Sequence, residues 1–243
     1  MICTVRYGMT RNQVLKELKA FGSEATKRQL MKRGAREPIF GVKVADMKTI
    51  AKKIKGDQAL ALDLYESGNG DAMYLAGLVA DGGKMTKTVL RKWARDANWH
   101  MIAEYTVPWV AAESKHGWDL ALEWIDSGRA HVASAGWATI GSLVATRPDG
   151  EMDLGKLKSL LKRVEKEIHS SPNRVRYTMN GFVIAAASYV KALTADAVRT
   201  AKAIGKVEVE MDGTACKVPF APEYIEKIKK RGAIGKKRKT AKC

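Results

Sequence analysis

Apolar residues recur at helical spacing along almost the whole chain. In VLKELKAF, residues Val14, Leu15, Leu18 and Phe21 share one face. MKTIAKKIKG repeats the pattern with Met47, Ile50, Ala51 and Ile54 and then stops at Gly56, a good residue for ending a helix. Further helices are predicted over 57–67, 71–80, 86–97, 99–114, 117–127, 130–146, 153–169, 173–190, 194–204 and 221–231. Glycines 22, 34, 68, 82, 128 and 150 punctuate the run. Short helices on short loops pack as antiparallel pairs, and MYLAGLVA and AHVASAGWATIGSLVAT are strongly apolar on both sides, as suits sandwiched helices.

Stacked pairs of this kind predict an all-α solenoid. No clean repeat period is visible, so a degenerate HEAT-like array is favoured over a strict repeat, with a compact helical bundle as the structural alternative. One segment departs from the pattern. VEVEMDGTACKV (207–218) alternates Val207, Val209 and Met211 around Asp212-Gly213, which fits either a small β-hairpin or an extended loop. Residues 1–232 read as one domain and 233–243, ending in GKKRKTAKC, as a disordered basic tail.

The chain carries 43 Lys+Arg against 26 Asp+Glu, a formal charge of +17, and the imbalance is segregated. Residues 56–83 hold five acids and no base, 84–95 five bases and no acid, and 96–154 nine acids to three bases. Basic blocks on neighbouring helices can line up as a stripe that attracts a polyanion, so nucleic acid is the expected partner. Cys3, Cys216 and Cys243 have neither metal-ligand spacing nor the number for a disulfide framework. The N-terminus lacks the apolar run of a signal peptide, and Ala130–Thr146 is too short and too polar to span a bilayer. A soluble, monomeric, cytoplasmic protein without membrane contact is expected, associated with the nucleoid when on DNA.

No catalytic or phosphate-loop motif is present, and His100, His116, His131 and His169 lack ligand spacing, so neither metal nor cofactor is implied. Two clusters mix aromatic and basic residues as nucleic-acid sites do. In LRKWARDANWHMIAEYTVPW, Arg91, Lys92 and Arg95 precede Trp99, with Tyr105 and Trp109 downstream. In SSPNRVRYTMNGFVIAAASYV, Ser171 is a candidate N-cap with Pro172 as first helical residue. Arg174 and Arg176 then sit near a helix N-terminus that favours phosphate, with Tyr177, Asn180 and Phe182 beyond. The competing reading for Trp99, Trp109 and Phe182 is that they fill the core.

EPIFGVKVADMKTIAKKIK, NWHMIAEYTVP and NGFVIAAASYVKAL resemble three segments of the AlkD-like DNA alkylation repair proteins, a similarity spanning most of 30–230. The resemblance implies a HEAT-like α-solenoid holding DNA by its backbone on a basic concave face. In active members two tryptophans, an aspartate and an arginine support excision of alkylated, cationic bases, with the acid stabilising an oxocarbenium-like sugar. Trp99 is retained. The aspartate position reads Ala103, and Glu104 follows it, about 100° further round a regular helix and so turned away from Trp99. The arginine position falls at Ala133–Ser134, and the second tryptophan reads Phe182.

The sequence therefore predicts a DNA-binding solenoid without efficient glycosylase activity. Trp99, Phe182 and Tyr177 would line the cleft, and Arg91, Lys92, Arg95, Arg174 and Arg176 would neutralise phosphates. One alternative is an active N-glycosylase with Glu104 as its acid, the helix being unwound or rotated near Thr106-Val107-Pro108. The other is a protein-interaction scaffold.

Overall fold

Thirteen α-helices account for the regular structure of the computed structural model, which describes residues 8–211 and 217–242. They are α1 (Arg11–Phe21), α2 (Glu24–Lys32), α3 (Val44–Lys53), α4 (Gln58–Glu66), α5 (Gly70–Val79), α6 (Lys87–Asp96) and α7 (Val107–Glu113). There follow α8 (Gly117–Trp124), α9 (Ala130–Thr146), α10 (Leu154–Glu167), α11 (Asn173–Tyr189), α12 (Thr194–Ile204) and α13 (Ala221–Lys230). No strand occurs among the described residues. Residues 207–211 and 217–220 run without regular structure, and the Asp212-Gly213 turn lies outside the described residues. No single described helix is long and apolar enough to cross a membrane.

Successive helices pair and stack into two rows, as burial dictates. α5, α7, α9 and α11 form the inner row, and nearly every residue of α5 and α7 is buried. α4, α6, α8, α10 and α12 form the outer row and bury only one stripe each, Leu90, Trp93 and Ala94 in the case of α6. The array is the expected HEAT-like solenoid. The helix α2 was not predicted: none of its residues is buried, it has only Ala25, Leu30 and Met31 as apolar residues, and its start is capped by Ser23.

The opening of the array is fastened by one buried carboxylate. Asp71, at the start of α5, accepts hydrogen bonds from the backbone N–H groups of Phe40 (2.6 Å), Gly41 (3.0 Å) and Val42 (3.1 Å). Gly41 adopts φ +79 with no space for a side chain, so the loop can present three donors to one acid. Burial pushes the Asp71 carboxyl up, and the three N–H donors oppose that shift. The segment EPIFGV is thus a docking loop for α5.

Charge segregation along the chain becomes lacing across the outer row. Lys92 pairs with Glu66 of α4, Lys87 and Arg91 with Asp119 and Glu123 of α8, and Lys158 of α10 with Asp196 of α12. These exposed pairs contribute little stability singly. They do occupy cations that would otherwise form an open stripe.

Residues 233–242 are ordered rather than a free tail. They run back along one edge of the solenoid, where the inner helices end. The Gly235 N–H donates to the Ser188 carbonyl of α11, and the Arg238 N–H to the Ala145 carbonyl of α9. Lys237 Nζ donates to the Val144 carbonyl of α9 and pairs with Asp149; Lys242 Nζ donates to the Ala80 carbonyl after α5 and pairs with Glu113 of α7. Helix C-termini leave free carbonyls and carry partial negative charge, so a lysine-rich strap is suited to them. Ala241, within this segment, is buried.

Two stability predictions follow from these anchors. Asp71→Ala leaves three buried donors unpaired and should lower the unfolding free energy by about 3 kcal/mol in urea titration. Truncation after Gly232 should lower it by about 2 kcal/mol, four strap-to-helix hydrogen bonds being offset by the strap's ordering entropy, with helical content in circular dichroism otherwise retained.

Candidate nucleic-acid cleft

At the opposite edge from the strap, the first turns of three inner helices converge on a cleft of about 650 Å³. Trp99, His100, Ala103 and Glu104 come from the turn entering α7, His131 and Ser134 from α9, and Asn173 and Arg174 from α11. Arg36, from the loop after α2, and Arg95, at the end of α6, line it too. Neither α9 nor α11 has a side-chain cap, so their free N–H groups face this end unclaimed by side chains. Ser171 is not the cap predicted for α11. Its hydroxyl donates to the Glu167 carbonyl (2.8 Å), and Pro172 stands at the N-cap with Asn173 as first helical residue.

Glu104 lines the cleft from an irregular stretch of helix. Residues Ile102–Thr106 form a π turn that runs straight into α7. Pro108 has no N–H to offer the carbonyl four residues earlier, that of Glu104, and a wider i→i+5 turn relieves the conflict. Trp99 precedes this turn, its carbonyl accepting from the Ala103 N–H at 3.0 Å in an ordinary α-helical bond, and Glu104 lies within the turn. The expectation that Glu104 turns away from Trp99 is therefore corrected: both line the same cleft. Gly77 of α5 lies directly against this turn, a Cβ there falling 2.6 Å from Thr106 Cγ2.

The Glu104 carboxylate is met by a guanidinium from 70 residues away. Arg174 Nε donates to Oε1 at 2.8 Å and Nη2 to Oε2 at 2.5 Å, a two-bond fork with side-chain exposures of 19% and 2% for Arg174 and Glu104. Burial pushes the Glu104 carboxyl up, and the hydrogen bonds and charge of Arg174 oppose that shift. The Arg174 guanidinium also lies over the Tyr177 ring, 4.5 Å from its centroid. Trp99 is fixed by its Nε1–H, which donates to the Arg33 carbonyl at 2.9 Å, and its edge meets His100. Burial, with Arg174 and Arg33 nearby, lowers His100 to about 4, so it is neutral at physiological pH and adds no charge to the cleft.

The predicted site residues divide. Trp99, Glu104, Arg95 and Arg174 are brought together. Tyr177 faces an adjoining groove between α9 and α11, of which Glu104 forms one wall. Phe182 is not a cleft residue: it is fully buried and packs on Trp137 at 5.4 Å between ring centroids, because it falls on the core face of α11. Arg176, two residues after Arg174 on a helix, turns away from the cleft to lie under the 206–211 segment. Arg91 and Lys92 are on the outer row in the ion pairs described above. Ser134, at the position where the resemblance expects an arginine, lines the cleft with a fully buried hydroxyl that has no hydrogen-bond partner. Arg36 and His131 were missed; Arg36 sits beside the docking loop, and no local motif marks it.

Fold and cleft together define a HEAT-like helical-repeat protein with an acid, an arginine and a tryptophan gathered at one edge. The family model described as DNA alkylation repair enzyme matches residues 14–225, and the chain belongs to this family. Relatives in two Listeria species agree in extent. Lin0241 of Listeria innocua and Lmo0209 of Listeria monocytogenes are each 31% identical over 229 residues, covering 92% of this chain and 99% of their own. A solved structure with TM-score 0.89 and 40% identity covers 97% of this chain and 100% of its own. It is described as a new family of proteins related to the HEAT-like repeat DNA glycosylases with affinity for branched DNA structures.

The closeness of Gly77 to the π turn makes a test of the geometry. Gly77→Ala should destabilise the protein by about 1–3 kcal/mol through overpacking against Thr106, read as a lowered thermal midpoint.

Proposed function

We propose that this protein binds DNA through its phosphate backbone at the N-terminal edge of the inner helices, as a monomer, and excises alkylated bases poorly. The observation that carries the reading is the convergence of Arg36, Arg95 and Arg174 with the uncapped first turns of α9 and α11, a combination suited to phosphate. The solved relative with affinity for branched DNA structures supports DNA of that form as the preferred ligand. Poor excision follows from the acid itself: both Glu104 oxygens are held by Arg174, so neither is free to face a sugar cation. A second reading, an active N-glycosylase, is favoured by one fact, that Trp99, Glu104 and Arg174 share one cleft. In either case the protein would work in the cytoplasm, on the nucleoid.

One labelled duplex carrying a single methylated purine tests both readings. Affinity should fall about 100-fold between 50 and 200 mM salt if some four phosphates are neutralised. Arg36→Ala and Arg95→Ala should each weaken binding several-fold, whereas Arg91→Ala, on the outer row, should leave it within about twofold. Base release should stay at the spontaneous rate. Release well above it, lost in Glu104→Gln, would establish the glycosylase instead.

A further inference from the structure

The anion that Arg174 holds in this structure is the protein's own. Glu104 presents two oxygens to the guanidinium in the same parallel, two-bond arrangement that a phosphate uses. Around that pair the cleft holds more donors than the carboxylate uses. The Ser134 hydroxyl is fully buried, unpartnered and part of the cleft wall. The first turns of α9 and α11 lack side-chain caps, and Arg36 and Arg95 stand at the wall without a buried partner. Asp96 is the one other acid lining the cleft, and it is paired with Arg95 and Lys92 at the surface. A cleft with this surplus of donors is built for an anion larger than one carboxylate.

We infer that Glu104 is an internal stand-in for phosphate: a phosphodiester of bound DNA takes Arg174 from Glu104, and the carboxylate is a built-in competitor that holds the site shut until then. This rests on the DNA-binding reading above and deepens it by assigning one phosphate contact and the residue that opposes it. The opposition is direct. Exchange leaves a buried carboxylate without its partner, a cost set against every binding event. Removing the negative charge at 104 while keeping the shape therefore strengthens binding. A purely structural ion pair behaves oppositely, since breaking it loosens α11 against the π turn and degrades whatever the cleft holds.

The experiment uses the full chain and fluorescein-labelled DNA, a three-way junction and a duplex of equal length, with affinity read by anisotropy. Glu104→Gln is expected to bind at least about fivefold more tightly than the unmodified protein. Arg174→Gln is expected to bind at least about fivefold more weakly, since it loses a charge-assisted contact to phosphate, and adding Glu104→Gln to it should restore nothing. Equal gains on both DNAs place the contact on any duplex backbone, and a gain confined to the junction places it at the branch; either supports the exchange. Affinity of Glu104→Gln equal to or below that of the unmodified protein overturns it. If Glu104→Gln does not fold, Glu104→Asp replaces it: the shorter acid keeps the charge but loosens the fork, so tighter binding supports the exchange and unchanged or weaker binding overturns it. If the unmodified protein binds neither DNA at low salt, the DNA-binding reading itself falls and the exchange with it. That outcome is distinct from DNA binding that ignores position 104.

Discussion

The inner helices run in the same direction, and the two edges of the solenoid differ because of it. Parallel helices put their unsatisfied N–H groups at one edge and their unsatisfied carbonyls at the other. The chain answers each edge with the chemistry it calls for. At the carbonyl edge, residues 233–242 lay Lys237 and Lys242 across the ends of α9 and α5, and backbone N–H groups on α9 and α11. At the N–H edge it leaves α9 and α11 uncapped and gathers arginines instead. A tail that looks like a loose polyanion seeker is thereby spent on structure. The edge the tail does not reach is the one where Arg36, Arg95 and Arg174 gather.

The same constraint explains why Glu104 and Arg174 meet. Both lie in the first turns of their helices, so parallel neighbours bring them to one level although 70 residues separate them. The acid lies within the π turn and lines the same cleft as Trp99. Pro108 provides a local reason for that turn, and Gly77 provides the space α5 must leave for it. Geometry at the cleft thus depends on a proline downstream and a glycine on another helix, neither of which touches the acid.

The solenoid was legible in the chain because burial writes helical periodicity directly. The apolar runs at 71–80 and 130–146 mark inner helices, and the one-sided pattern at 86–97 marks an outer one. Where burial is absent, as in α2, few apolar residues are left to mark the helix. The cleft was only half legible. Trp99, Arg95 and Arg174 were visible as residue types, but their partners were not. Charge on paper does not show that Arg91 and Lys92 are held by Glu123 and Glu66, because those pairings form between helices. Phe182 misled for a related reason. An aromatic in a basic segment looks like a stacking surface, and only its helical spacing to Val175, Met179, Val183 and Ala186, all buried, puts it on the core side.

Moving the charged groups changes the chemistry more than their presence suggests. The resemblance expects an acid at 103 and an arginine at 133–134; the chain places Ala103 and Ser134 there, and supplies the charges from Glu104 and Arg174. The composition of the site is almost preserved, yet its state is inverted. An acid with a free oxygen can stabilise a developing sugar cation, whereas an acid whose two oxygens are both claimed offers no unshared negative charge in a cleft where arginines already dominate. The vacated arginine position leaves a buried hydroxyl with nothing to bond, and unsatisfied buried donors are costly unless a ligand meets them. Both departures favour the phosphate contact proposed above.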